Sequence, residues 1–243
     1  MAINAADTLD RFIGELPSFD WSDFQERSQE NERLLREISS NKAAFVNLIR
    51  AVRNDDQRFG MCEKDEFRYK LVLHRADDRG FRLRLHVWRT GFADCVHAHR
   101  FSYTALLLNG GYQHTLWSTD QDVYPKGIEE YQEQMLPLSH PFVAKNVDVS
   151  RIRATVVASF EAGQAYSQDH TVLSSTITQP DTVSLFFRGP AERDYSIQWH
   201  TADEKIVWRG GSATVPADRQ REVQMTGEDF DAVMARLEAL DLI

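Results

Sequence analysis

The spacing of hydrophobic and polar residues changes twice along the chain. From about residue 20 to residue 55, apolar positions repeat at helical intervals, as in the stripe formed by Phe45, Leu48, Ile49 and Val52. From Phe67 onward, apolar and polar residues mostly alternate, which is typical of strands with one buried face. Helical spacing returns near the end, at Phe230, Val233, Met234 and Leu237. The pattern therefore predicts helices, then strands, then one helix.

Nine segments carry the strand pattern, and short polar turns separate most of them. They are FRYKLVLH, FRLRLHVW, YTALLL, GYQHTLW, ATVVASF, HTVLSSTI, TVSLFF, YSIQW and KIVW. The first two flank the polar turn DDRG and predict a hairpin. Many successive strands joined by short turns indicate a mainly β fold, an antiparallel sandwich or barrel. Thr226, followed three residues later by Asp229, predicts the start of the terminal helix.

Length and composition are consistent with one folded domain. The 243 residues are 42% hydrophobic and 27% charged, which is enough apolar material for a sizeable core. We divide the chain into a helical extension, residues 1–60, packed on a barrel with a terminal helix, residues 61–243. The two cysteines, Cys62 and Cys95, are expected to be reduced thiols.

Charge and hydropathy narrow the classes of partner. Acidic residues outnumber basic ones by 37 to 28, giving a net charge of -9, which argues against nucleic acid or an anionic membrane as a partner. No apolar run approaches the roughly 18 residues of a membrane span, and the start MAINAADTLDRF lacks a basic segment followed by an apolar stretch. We therefore expect a cytoplasmic protein that acts on a small molecule.

Two histidines separated by one residue, His97 and His99, are the strongest chemical signal. In a strand, this spacing places both imidazoles on the same face, where two neutral nitrogens can reach one metal ion. Alternation also produces such pairs by chance, and an interior histidine is often only hydrogen bonded. The residues around the pair favour the metal site.

The neighbourhood of this pair resembles the first motif of the cupin family. That motif runs Gly, five residues, His-x-His, three or four residues, Glu, six residues, Gly; Gly91, His97, His99 and Gly110 match it, whereas Tyr103 replaces the glutamate. The resemblance covers roughly residues 67 to 210. It implies a double-stranded β-helix, or jelly-roll barrel, with N-terminal helices and a C-terminal helix added.

The second cupin motif supplies a further histidine on a later strand, after a glycine. The segment FEAGQAYSQDHTVLSSTI offers Gly163 and His170 for these positions, although the motif's proline, second glycine and asparagine are absent. The resemblance therefore implies a metal site of His97, His99 and His170, without a carboxylate.

A site of three histidines is similar to that of cysteine dioxygenase and related thiol dioxygenases. This likeness implies Fe(II) as the metal, while imidazole ligands suit Zn, Ni, Mn or Cu as well. The first hypothesis is a non-haem Fe(II) dioxygenase that acts with O2 on a small amino-acid-like or thiol metabolite. The alternatives are a metal-dependent isomerase, epimerase or lyase, and a small-ligand-binding cupin without activity. A homodimer is expected from the resemblance only.

Four further residues are candidates for catalytic roles: Tyr103, His114, Tyr166 and Arg188. A hairpin around Asn109 would place Tyr103 and His114 on one face, where His114 is a fourth ligand, a proton relay or a donor to a ligand. The structural alternative is a half-buried histidine bonded to a backbone carbonyl.

Tyr166 and Arg188 complete the candidate set. By alternation Tyr166 shares a face with His170 and can position a substrate through its hydroxyl; a buried tyrosine with a satisfied hydroxyl is the alternative. Arg188, at the end of a strand lining the barrel mouth, can hold a substrate carboxylate, or else it is a solvated surface residue. The remaining histidines are interpreted as structural: His74, His86, His140 and His200.

Overall fold

The computed structural model describes residue 11 and residues 23–76, 80–119, 142–146, 152–200, 205–210 and 221–243. The helices are α1 (Phe24–Ser40), α2 (Lys42–Arg53), α3 (Asp56–Phe59) and α4 (Gly227–Ala239). The first strands are β1 (Glu63–Lys64), β2 (Arg68–Ala76), β3 (Phe81–Trp88), β4 (Phe92–Ala93), β5 (Val96–Ala98), β6 (Tyr103–Asn109) and β7 (Gly111–Thr119). The others are β8 (Phe142–Asn146), β9 (Ile152–Glu161), β10 (Ala165–Gln168), β11 (Leu173–Thr178), β12 (Val183–Arg188), β13 (Tyr195–His200) and β14 (Lys205–Gly210). Each of the nine predicted segments overlaps one of these strands.

Two antiparallel sheets form the barrel, and the chain passes back and forth between them. One sheet has the order β1-β2-β3-β12-β6-β10; the other has β8-β14-β13-β5-β11-β7-β9, with β4 paired to β11. Four strands of each sheet, β3-β12-β6-β10 and β5-β11-β7-β9, follow the interleaved order of a jelly roll. The predicted mainly β fold class, with added helices at both ends, is therefore confirmed. The predicted turn at residues 77–79, the start of the first helical segment at residues 20–22 and His140 lie outside the described residues.

The helices cover the outer face of the first sheet, which we call the helix-covered sheet. Leu34 of α1, Ile49 of α2 and Phe230 of α4 join Leu71 and Leu85 of the sheet in one buried core. Side-chain caps fix where the helices begin: the Asp23 carboxylate accepts from backbone N–H groups of α1, and Thr226 and Asp229 form a reciprocal capping box at α4. The helices α1, α2 and α4 therefore share a single core with the helix-covered sheet.

One predicted hairpin is present and the other is not. Strands β2 and β3 pair as predicted. Strands β6 and β7 do not pair, because β6 lies between β12 and β10 in one sheet and β7 between β11 and β9 in the other. The chain crosses between the sheets at Gly110, whose φ of 71° and close approach to Thr182 exclude a side chain. Tyr103 and His114 therefore project into the barrel from facing sheets.

Candidate metal and substrate site

His97 and His99 lie at the end of a short central strand with their rings converging. Strand β5 pairs with β11 and β13, which places His97 opposite Ser174 and Gln198. The Nδ1 atom of His97 lies 2.9 Å from the backbone oxygen of Cys95, and its Nε2 atom lies 3.2 Å from Nε2 of His99. A carbonyl oxygen only accepts, so Nδ1 carries the proton and Nε2 keeps its lone pair. The pair therefore directs nitrogen atoms at one point.

The separation of these nitrogens suits metal binding. Two nitrogens that each lie about 2.1 Å from one ion are about 3 Å apart when the angle between them is about 90°. Burial, reinforced by His97, Arg68, Arg193 and Arg84, lowers the pKa of His99 well below its usual value. A neutral imidazole is the form that ligates a metal. The donor set therefore fits a divalent ion.

Aromatic rings enclose His99 on several sides. Its ring centroid lies 5.4 Å from that of Phe101, 4.9 Å from that of Tyr103 and 6.5 Å from that of Phe186. Tyr103 stacks on Phe186 at 4.5 Å, so these rings form a continuous apolar wall. Such a wall limits the access of water to the two imidazoles.

The ligand atoms of His97, His99 and His170 do not all lie within 4.8 Å of one another, although Arg193 donates to the backbone oxygens of both His99 and His170. Among the described residues, the potential ligand atoms of His170 group within 4.8 Å with those of Asp169 and Glu192, and not with those of His97 and His99. The reason is local: β10 ends at Gln168, and the Asp169 carboxylate then accepts from the backbone N–H and hydroxyl of Thr171, which forms a turn. Strand alternation therefore stops before His170. The strand face that the sequence predicted for both Tyr166 and His170 is not formed.

Two carboxylates and a buried arginine surround His170 in that turn. Its Nδ1 atom lies 3.1 Å from a carboxylate oxygen of Glu192. The guanidinium of Arg27, from α1, lies 3.1 Å from Asp169 and 3.5 Å from Glu192, and it donates to the Ser102 hydroxyl at 3.0 Å. Arg27 therefore pairs with both acidic groups beside His170 and offsets one of their two negative charges.

A second group near His97 comprises Asp94 and Cys95. The potential ligand atoms of these residues and His97 lie within 4.8 Å of one another. Burial, together with the Asp94 carboxylate, raises the pKa of Cys95 to about 12, so its thiol is protonated at neutral pH. Cys95 contributes its backbone carbonyl to the orientation of His97 rather than a thiolate.

His114, the candidate fourth ligand, proton relay or donor to a ligand, is engaged through both nitrogens. Gln168 donates its amide N–H to the carbonyl of Val172 at 3.2 Å, which leaves Oε1 as the acceptor. That oxygen accepts from the Tyr103 hydroxyl at 3.1 Å and lies 3.0 Å from Nε2 of His114, which must therefore carry the proton. Nδ1 of His114 then accepts from the Thr176 hydroxyl at 3.1 Å. His114 is a neutral hydrogen-bonding residue in this arrangement.

Tyr166 and Tyr103 lie at the same interior surface. The ring of Tyr166 lies 5.0 Å from that of His114 and 5.9 Å from that of Tyr103. Burial raises the pKa of both phenols above the usual value. They are therefore neutral, and can donate hydrogen bonds but not act as bases at neutral pH.

Arg188 is buried, which excludes the solvated alternative. It is 6% exposed, its guanidinium carbon lies 4.6 Å from the ring centre of Phe101, and its Nη1 donates to the carbonyl of Gly189 at 3.2 Å. Its Nε atom is buried without a hydrogen-bond partner. Through Phe101, which stacks on His99, Arg188 belongs to the same interior as the imidazole pair.

Three residues of β3 face the barrel although the sequence pattern assigns none of them a role in the site: the half-buried Arg82 and Arg84, and the buried His86. Their registers place them beside Arg188, Phe186 and Ser184 of β12, on the face that contains Tyr103. His86 stacks on Phe186 at 4.9 Å, and burial, with the charges of Arg68 and Arg84 next, lowers its pKa well below the usual value. The sequence FRLRLHVW shows the alternation of apolar and polar residues but not which face is inside. The helices cover the apolar face, so the polar face turns toward the barrel interior.

No protein-family model matches the chain, and no curated protein matches it. Solved structures similar in fold include KdgF from Halomonas sp., at 11% identity over 54% of this chain and 89% of that chain, with a TM-score of 0.33. An RmlC-like cupin from Shewanella frigidimarina is 13% identical over 55% of this chain and 98% of that chain, with a TM-score of 0.33. An oxalate decarboxylase from Lactobacillus farciminis, in a formate complex, is 11% identical with a TM-score of 0.33; the match spans 55% of this chain but only 31% of that one.

In the described part of the chain, no helix is both long enough and apolar enough to cross a membrane.

Proposed function

We propose that the protein is a metal-dependent enzyme of the cupin type that acts on a small molecule and holds one divalent ion through His97 and His99. The observation that carries the proposal is the 3.2 Å separation of their Nε2 atoms, with the proton of His97 fixed on Nδ1 by the Cys95 carbonyl. When bound, such an ion supplies Lewis-acid or redox chemistry. Imidazole nitrogens bind Fe, Zn, Ni and Cu, and Mn is a further candidate for this site.

The residues around the pair orient a substrate and control water. Phe101 and Phe186 form the apolar wall beside His99. The Tyr103 hydroxyl is directed at Gln168, whose amide is itself fixed by Val172. Because this orientation is set by hydrogen bonds within the barrel, the site is ordered before a substrate arrives.

Iron(II) with dioxygen, acting on a small amino-acid-like or thiol metabolite, is the first form of this proposal. Tyr103 occupies the position at which the first cupin motif has a glutamate. Its hydroxyl donates to Gln168 and is not directed at the imidazole pair as a ligand. Few protein ligands leave several coordination positions for substrate and dioxygen. We propose this metal site without His170, because the Nδ1 atom of His170 lies 3.1 Å from a carboxylate oxygen of Glu192.

Lewis-acid chemistry without dioxygen, as in an isomerase, epimerase or lyase, is the second form. The observation that favours it is the chain of hydrogen bonds from Thr176 through His114 and Gln168 to Tyr103. Because Gln168 Oε1 accepts from both His114 and Tyr103, a proton can move only between the Thr176 hydroxyl and Nδ1 of His114, which makes His114 the candidate acid–base group of this form.

Turnover by metal-loaded protein separates the two forms. The chain is purified without added metal, then loaded with Fe(II), Mn(II) or Zn(II), and oxygen uptake and product formation are followed with a panel of small amino acids, thiols and carboxylic acids. Oxygen uptake that requires Fe(II) supports the dioxygenase. Product formation that persists under strict anaerobiosis supports the second form.

His99→Ala is the inactivating variant and His74→Ala, on β2, is its matched control. We expect activity to be lost in His99→Ala and kept in His74→Ala. Turnover unchanged by His99→Ala would overturn the proposal in both forms.

A further inference from the structure

The inner face of the helix-covered sheet carries a concentrated positive charge. Residues that are neighbours across its strands form the rows Gln168–Tyr103–Arg188–Arg82 and Tyr166–Ala105–Phe186–Arg84. Three arginines of these rows, Arg82, Arg84 and Arg188, therefore lie side by side on strands β3 and β12. The chain as a whole has a net charge of -9, so this basic interior contrasts with the acidic protein around it.

These three arginines lack a neutralising carboxylate. Among the described residues, no Asp or Glu oxygen lies within 4.0 Å of Arg82, Arg84 or Arg188. The nearby carboxylate Glu63 is paired with Lys70. Arg188 has only a carbonyl and a ring face as partners, and its Nε is buried and unpaired. Of the three, Arg188 is buried, and a buried guanidinium without a counter-ion is costly, which points to a ligand that supplies the missing charge.

The electrostatics agree with this geometry. Burial, then repulsion from Arg84, Arg82 and Arg100, lowers the pKa of Arg188 to about 9. Burial also lowers the pKa of Arg84 to about 10, against the attraction of Glu63 and with the repulsion of Arg82. Glu63 offsets part of this charge but is itself paired with Lys70, so the three arginines keep a net positive charge. A bound anion would remove the repulsion among them.

The cluster is adjacent to the imidazole pair. Arg84 acts electrostatically on His99, and Arg188 covers Phe101, which stacks on His99 at 5.4 Å. An anion held by the arginines therefore lies in the same interior as His97 and His99.

We infer that Arg82, Arg84 and Arg188 form a binding site for a small oxyanion of at least two negative charges, carboxylate or phosphate, which is the substrate's anchoring group. Only the identification of this anion as the substrate's anchoring group rests on the proposed function. Guanidinium forks match the paired oxygens of both carboxylate and phosphate, so three of them favour a dianion over a monoanion.

Calorimetric titration of the metal-free full chain tests the inference. Succinate, malonate and inorganic phosphate are the probes, and acetate at matched ionic strength is the monoanion control. We expect saturable binding of at least one dianion and much weaker binding of acetate. Preference for a dicarboxylate or for phosphate identifies the anchoring group. No saturable binding of any of the three dianions would overturn the inference.

Arg84→Gln and, independently, Arg82→Gln are the test variants, with Arg33→Gln on the exposed face of α1 as the matched control. Each test variant should weaken the dianion about tenfold to a hundredfold, and the control less than twofold. Because an unpaired charge is removed, the ligand-free test variants should melt no lower than the wild type. Unchanged affinity in both test variants would overturn the site, as would a lowered melting temperature in both.

Metal content distinguishes this inference from the proposed function. Arg84→Gln should keep the metal and lose the anion, whereas His97→Ala should lose the metal and keep the anion. A His97→Ala protein that retains its metal overturns the proposed function and leaves the anion site supported by its own titration.

Discussion

The two faces of the helix-covered sheet are made by alternate residues of the same strands, yet their surroundings are opposite. The outer face presents Leu83, Leu85 and Val87 to the helices, and all three are fully buried. The inner face presents Arg82, Arg84 and His86 to the barrel interior, beside the tyrosines and phenylalanines of the site. The outer face is packed for stability, and the inner face carries polar groups at a cost to stability.

This contrast indicates why the polar face of the helix-covered sheet can point into the barrel. Without α1, α2 and α4 the apolar face would be exposed, and the charged face would be the natural solvent face of an amphipathic strand. The helices bury the apolar face, so the barrel interior can contain charge without losing the core. Substitutions on the two faces should therefore have different consequences.

The largest effect is expected from the outer face. Leu85→Ala removes a fully buried side chain from the core beneath the helices, and should lower the free energy of unfolding by about 2–5 kcal/mol. Urea denaturation measures the loss. Ile177→Ala, at a residue that is 51% exposed on β11, is the matched control and should change stability by less than about 0.5 kcal/mol. Equal effects of the two substitutions would contradict the assignment of the stabilising face.

Acid should destabilise the protein through the inner face. Burial lowers the pKa of His86, His99 and His114 in the folded state. The unfolded chain therefore binds protons first as the pH falls through about 6.5, so stability is complete above that pH and declines below it. The decline should reach about 1.4 kcal/mol per pH unit for each histidine that stays neutral.

Urea denaturation at about pH 7.5, 6.5 and 5.5, in the presence of a chelator, measures this decline. His86→Gln should make it shallower, because one of the neutral imidazoles is removed. Stability that is constant over this interval would show that the inner-face histidines do not resist protonation.

A smaller effect is expected at the start of the helix α4. Thr226→Ala removes the hydroxyl that accepts from the Asp229 backbone N–H at 3.2 Å, and should cost about 1 kcal/mol. Thr226→Ser keeps that oxygen and should be nearly neutral. Thermal unfolding followed by circular dichroism distinguishes them, and the same melting temperature for both variants would be evidence against the cap.

Much of the fold is predictable because the hydrophobic period is local information. Alternation located nine strands, and the stripe around Ile49 and the cap at Thr226 located helices. Strand pairing is not local: the Asn109 segment has the turn residues of a hairpin, but its two strands enter different sheets. The sequence likewise does not say which face of FRLRLHVW is inside, because helices far away in the chain decide it.

The site was predictable to the extent that it depends on spacing within one strand. His97 and His99, two residues apart, meet as expected. The assignment of His170 came from the position of the second cupin motif, and the turn of Asp169 and Thr171 ends the strand before His170. Arg82 and Arg84 could be placed in the interior only with the tertiary structure.

The most direct test of the account is the metal stoichiometry of three single variants. Full-length wild type, His97→Ala, His99→Ala and His170→Ala are loaded with Fe(II) or Zn(II), freed of excess metal, and analysed by mass spectrometry of the elements, with circular dichroism to verify folding. We predict one ion per chain in the wild type and in His170→Ala, and almost none in His97→Ala and His99→Ala. Metal retained by the His97 and His99 variants, or lost only from His170→Ala, would contradict the two-imidazole site.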